Sequence, residues 1–273
     1  MRTQVIGQAR QKHGSRVGRR ALLAILLAAP ALRRATAQGA LRRISQSNAL
    51  RIALDAAMAV GLPGATTVAD PFSEALGRAL AGRLGVRAHF LQGGIPGNGM
   101  AAVLTGDADV AVSPLLSRPG LRVAVFGPPH ALVDLVVVAP EGERLRLRPQ
   151  LRNRSVALLR GQAEALSSRG EDLLAFSTTR MATDMLDLEG LLMRGLCSAA
   201  ILARHQAAAL ARRQPALTTR MALGPQSFAA ASVLGDEDLA NVVDLAMREA
   251  ITSGEVVALF EQHVGLRWQA PRG

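Results

Sequence analysis

The chain has no tyrosine, one tryptophan and one cysteine, and aromatic residues make up 3% of its 273 residues. Binding of nucleic acid by stacking bases on aromatic platforms has little to work with in such a chain. The single cysteine, Cys197, lies in the apolar setting Leu196 to Ile201, so neither a disulfide framework nor a thiolate metal site can be built within one chain. Its simplest role is that of a small buried hydrophobe. A thiolate nucleophile would need a base, and His205, eight residues on, could serve only if the fold curled back.

Other chemistry is missing as well. His89, His130, His205 and His263 show no metal-ligand spacing, and no two carboxylates stand together at a strand end as a glycosidase needs. Ser113 has no Gly-x-Ser-x-Gly context. The glycine-rich run Gly93 to Gly99 (GGIPGNG) lacks the Lys-Ser/Thr of a phosphate loop and the acidic partner of a dinucleotide site, and reads as a connecting loop. The expectation is a protein that binds without catalysis, metal or cofactor.

What is present is a large apolar content, 49%, enough for the full core of one two-lobed domain or two small domains. The formal charge is +11, which in general points to nucleic acid or an anionic membrane. Its distribution changes that meaning. Residues 1–37 hold eight basic residues and no acid, and the other 24 basic and 21 acidic residues leave +3. Beyond residue 37 the sequence therefore reads as a nearly balanced surface with no affinity for nucleic acid.

Residues 1–37 have the three-part layout of a signal peptide: a basic stretch ending in Arg19-Arg20, the apolar run Ala21 to Leu32, then Arg33-Arg34 and Ala35-Thr36-Ala37. Twelve residues span only ~18 Å as a helix at ~1.5 Å per residue, against ~30 Å of hydrocarbon, and Pro30 interrupts them. The run Arg19-Arg20-Ala21-Leu22-Leu23 resembles the twin-arginine export motif, with Gly18, Leu22 and Ala24 departing from it. Cleavage after Ala37, export to the periplasm and no lipid anchor are the expectations.

After the leader, short strands alternate with helical patterns, the sign of α/β architecture. Strands are expected at Leu50–Asp55, Val86–Leu91, Asp109–Ser113, Leu132–Ala139, Ser155–Leu159, Leu196–Ile201 and Ser227–Leu234. Helices are expected from Asp70-Pro71 to Gly85, over Gly99–Gly106, from Gly161 to Ser168, over Thr178–Arg194, over Ala203–Arg213, from Gly235-Asp236 to Gly254, and over Val256–His263. Pro140 to Arg154 reads as a connection. Polar residues at the carboxyl ends of these strands, where open α/β sheets bind ligands, are Asp55, Ser113 with Arg118, and Gln162.

This order of motifs resembles the family 3 extracellular solute-binding proteins of ABC importers, of the polar amino-acid binding type, over residues 48 to 266. Leu50 to Asp55 is similar to that family's first strand with its cleft Asp, and Ala75 to Phe90 to its first helix and second strand. Ala101 to Pro114, Phe126 to His130 (FGPPH), Val156 to Glu164 and Asp236 to Leu266 are similar to later segments.

The resemblance implies a two-lobed periplasmic binding protein type II fold, each lobe a mostly parallel sheet flanked by helices. Lobe 1 would comprise 48–130 plus 228–266, and lobe 2 131–227. It implies a ligand site of Asp55, Ser113, Arg118, His130 and Gln162, with Arg118 clamping a carboxylate through its planar guanidinium. Leu115, Met58 and Ala203 depart from the family's ligand positions and weaken the amino-acid assignment. The implied function is a monomeric periplasmic receptor that closes on a small carboxylate-bearing solute, amino acid or organic acid, and delivers it to an ABC permease in the inner membrane. The alternatives are an accessory protein of a periplasmic quinoprotein dehydrogenase, a signalling receptor, or an enzyme similar to cyclohexadienyl dehydratases.

Overall fold

The chain's apolar, β-branched runs become strands and its capped three-and-four patterns become helices in the structure, a computed structural model that describes residues 39–54, 71–91, 99–112, 124–152, 154–159, 166 and 178–271. Among these are strands β1 (Ala49–Leu54), β2 (Arg87–Phe90), β3 (Val110–Val112), β4 (Ala124–Pro140), β5 (Ser155–Leu159), β6 (Thr178–Ala182), β7 (Ala199–Ala203) and β8 (Leu217–Val233). The helices are α1 (Ala40–Ser47), α2 (Pro71–Arg83), α3 (Gly99–Thr105), α4 (Met185–Met193), α5 (Arg204–Arg213), α6 (Glu237–Thr252) and α7 (Glu255–Val264).

All eight strands form one sheet in the order β2-β1-β3-β8-β4-β7-β5-β6. β4 and β8 lie antiparallel along their full lengths, from Ala124 opposite Val233 to Pro140 opposite Leu217. At one end of this pair the parallel trio β2-β1-β3 joins β8, and at the other the parallel trio β6-β5-β7 joins β4. The fold is that of a type II periplasmic binding protein, two α/β halves sharing two long strands. The lobe boundaries read from the sequence, 130/131 and 227/228, fall inside β4 and β8.

Each half builds its own core. In the first, α2 buries Phe72, Leu76 and Leu80 against Leu50 and Ile52 of β1, with α6 and α7 supplying Leu239, Val243, Val256 and Phe260. Full burial of each such side chain stabilises by roughly 1.5–3 kcal/mol. Gly77 lets α2 lie this close, because a Cβ there would come within 2.9 Å of the Phe90 ring and 3.2 Å of Ile52. In the second half, α4 and α5 cover one face of the sheet with Leu188, Leu192 and Leu210, and Cys197 is buried among them. Leu145, Leu151 and Leu166 cover the other face.

Several sequence expectations need correction. Thr178 to Ala182 is strand β6, not the first turn of a helix. It pairs in parallel register with β5, and α4 starts only at Met185, where the Asp184 carboxylate accepts from the amides of Leu186 and Asp187. The strand read at Leu132 begins at Ala124, and the one read at Ser227 begins at Leu217. Leu196 to Ser198 form the turn before β7 rather than its start, and α1 had no counterpart in the sequence reading. The connection from Pro140 to Arg154 contains a short 3-10 turn, Arg148–Leu151. No helix among the described residues is long and apolar enough to cross a membrane.

Candidate functional site

Strand direction locates the site. β1 and β3 run toward the middle of the long β4–β8 pair and end at Leu54 and Val112. β7 runs from the opposite end toward the same middle, with Ala200 opposite Val138 and Ala203 opposite Leu135, and β5 runs parallel to it, ending at Leu159. The carboxyl ends of both parallel trios therefore converge on one junction, near residues 130–135 of β4 and 224–228 of β8. In open α/β sheets, ligands bind beyond the carboxyl ends of strands, where main-chain amides and loop side chains are available.

Asp55 and Ser113 directly follow Leu54 and Val112, and Gln162 comes three residues after Leu159. These three and Arg118 lie outside the described residues, as do Met58, Leu115 and residues 1–37. Of the expected site residues, His130 alone is described. It sits at the junction on β4, where the register with β8 shifts between Pro129 and Ala131. Its side chain is fully buried, with the ring centroid 6.0 Å from that of Phe72, and burial alone lowers its pKa to about 3. The imidazole is therefore neutral at physiological pH. Its carbonyl oxygen accepts from the Trp268 indole N–H at 2.9 Å, which ties the C-terminal tail to the junction. In this conformation the ring faces core neighbours, not solvent.

Sequence reading missed two junction features. Asp134 is the one charge inside the apolar run Leu132 to Ala139, and that isolation was the available signal. Its carboxylate accepts from Nε and Nη2 of Arg204, at 3.1 and 2.8 Å, joining the first residue of α5 to β4. Gln226, opposite Val133 on β8, is buried, and its side chain makes no hydrogen bond to the described residues. Gln206 caps α5 by accepting from the Ala203 amide at 3.1 Å.

The described residues do not bring Cys197 and His205 together as a thiolate and its base. Cys197 precedes β7 and His205 follows it, so the five-residue strand separates them by ~16 Å at about 3.3 Å per residue. No group of three or more His, Cys, Asp or Glu among the described residues could hold a metal ion.

No protein-family model matches the sequence, and neither does any curated protein. Solved structures do match in fold. A mutant of ArgBP from T. maritima superposes with a TM-score of 0.70 at 21% identity, covering 82% of this chain and 99% of that one. A histidine kinase sensor domain with similarity to periplasmic binding proteins gives 0.68 at 22% identity, over 81% and 98%. An amino-acid ABC transporter substrate-binding protein from Streptococcus pneumoniae, bound to L-arginine, gives 0.67 at 21% identity over 82% and 98%, so the chain shares its architecture with proteins of the type II binding fold.

Proposed function

We propose that the protein is a solute-binding receptor that closes its two halves on a small carboxylate-bearing solute, amino acid or organic acid, and passes it to an ABC permease. The observation that carries this reading is the convergence of both parallel trios on one junction that, among the described strands, β4 and β8 alone span. Two halves joined by two strands can bend there and enclose a ligand. Arg118, with Asp55, Ser113 and Gln162, is assigned to the ligand from its position after a strand that ends at the junction. His130 would act by holding the strand, since its ring is buried. Residues 1–37 would be a twin-arginine leader removed after Ala37 on export.

The test is a thermal-shift screen of amino acids and organic acids, followed by calorimetry on the wild type and Arg118→Ala. Charge-assisted hydrogen bonds contribute roughly 1.5–3 kcal/mol, so the variant should bind about tenfold more weakly or worse. Equal affinity would remove Arg118 from the site. A second reading, a sensor or accessory protein on the same fold, draws on the likeness to the kinase sensor domain and on the loss of family ligand positions at Leu115 and Ala203. It gains if no solute in the screen shifts the melting point.

A further inference from the structure

Gln226 lies on β8 directly opposite Val133 of β4. Residues that face each other across an antiparallel pair project to the same side of the sheet, and every second residue along a strand returns to that side. Gln226 therefore shares a face with Val133 and, two residues either way along β4, with Ala131 and Leu135. Along this face the two cores change over: Ala131, Val133 and Phe228 belong to the core of the first half, Leu135 and Leu223 to that of the second. Gln226 thus stands at the seam between the side chains that cover one half and those that cover the other. It is also on the stretch of β8 toward which β1, β3, β5 and β7 direct their carboxyl ends.

The fold leaves this side chain unused. Gln226 is 8% exposed, yet neither its amide nitrogen nor its amide oxygen has a hydrogen-bonding partner among the described residues, whereas Asp109, Glu189 and Gln206, which are also buried, each have one. The amide is not sealed in either: Oδ2 of Asp236 is cut off from solvent without a partner, and the polar atoms of Gln226 are not. An amide held in apolar surroundings with donor and acceptor both unused costs free energy unless something from outside completes it. The ion pair of Asp134 and Arg204 does not do so, because Asp134, next to Val133, projects from the opposite face of β4.

We infer that Gln226 is a solute-contacting residue that takes a neutral hydrogen-bonding group of the solute, a hydroxyl, carbonyl or amide, an assignment that rests on the solute-receptor reading. A carboxamide carries no charge and offers one acceptor and two donors. It discriminates strongly against an analogue that lacks the polar group, because that analogue leaves the buried amide unpaired. The solute is then a carboxylate with a second, uncharged polar group, such as a hydroxy acid or an acid amide, in preference to a plain aliphatic acid.

The test adds matched pairs to the solute screen: L-lactate with propionate, L-malate with succinate, and L-glutamine with L-norvaline. In calorimetry the wild type should bind the polar member of a pair at least tenfold more tightly than its partner, and Gln226→Leu should abolish that preference. Stability is a second readout. Leucine is close to glutamine in size and needs no partner, so Gln226→Leu should match or exceed the wild type in urea denaturation. A lowered midpoint would mean that the amide is bonded within the fold, and overturns the assignment. Equal binding of polar and apolar members by the wild type overturns it as well. If no compound in the screen binds the wild type, the receptor reading falls and this assignment with it; if one binds and Gln226→Leu binds it equally well, the assignment alone falls.

Discussion

The two halves repeat one turn and use it differently. After α3, the Gly106 amide donates to the Val103 carbonyl and the amides of Asp107 and Ala108 to Ala102; after α4, Gly195 donates to Leu192, and Leu196 and Cys197 to Leu191. Both glycines have left-handed φ, +82° and +67°, which side chains resist. The residue that leads into the strand sends its amide to the neighbouring strand in both cases, Asp109 to the Arg51 carbonyl at 2.9 Å and Ser198 to that of Ser155 at 2.8 Å. In the first half that residue carries a fully buried carboxylate, which accepts from the Arg51 amide at 2.9 Å, from the Arg51 guanidinium at 2.8 Å and from Arg43 on α1. Its counterpart Ser198 makes no side-chain hydrogen bond to the described residues. The turn needs a glycine and a small buried residue; the position leading into the strand is open to other uses, and the first half uses it to fasten α1.

The largest expected effect breaks that asymmetry. Asp109→Ala leaves the Arg51 amide and two partly buried guanidinium groups without their partner, and should lower stability by about 3 kcal/mol in urea denaturation. Next comes acid sensitivity, which His130 concentrates in the first half. Its folded pKa, about 3, lies below the ordinary 6.5, so the unfolded chain binds the extra proton first. Its contribution is complete above about pH 6.5 and is lost as pH falls toward about 3, by roughly 2.5 kcal/mol between about pH 6 and about pH 4. His130→Leu should flatten that slope, followed through the fluorescence of Trp268, the single tryptophan, which bonds to the His130 carbonyl.

A smaller effect belongs to the second half. Glu189 accepts from Gln214 at 2.8 Å and from Arg213, joining α4 to the end of α5. With its carboxylate partly reached by solvent, Glu189→Ala should cost about 1–2 kcal/mol in the same denaturation assay. The smallest is Ser198→Ala, expected within about 0.5 kcal/mol of wild type. A loss as large as that of Asp109→Ala would show that the two turns are not equivalent after all.

How far the sequence spoke for the fold has the same physical basis. β1, α2 and β2 were legible because apolar periodicity, an Asp-Pro start and a Gly stop agree. β6 was not, since Thr178, Thr179, Arg180 and Met181 are all exposed on an edge strand and no alternation marks them. The long strands read short because Gly127-Pro128-Pro129 and Gly224-Pro225 look like loop signals; in the sheet they fall at or beside register shifts, where a proline need not donate. For the site, strand ends were readable and the Asp134–Arg204 pair was not, as its members are 70 residues apart.

The long β8 strand also sets a timetable. β1, β2 and β3 leave the ribosome first, yet the strand that flanks β3 and the helices that cover this half, α6 and α7, lie within residues 217–264. At about 5–20 residues per second, the first half waits on the order of ten seconds with Leu76, Ile52 and Val112 uncovered. The second half, contiguous from β4 to α5, can assemble in that interval, although β8 reaches it last as well. A nascent chain of this design therefore exposes its oldest segment longest, and chaperone contact during synthesis should concentrate on residues 49–112.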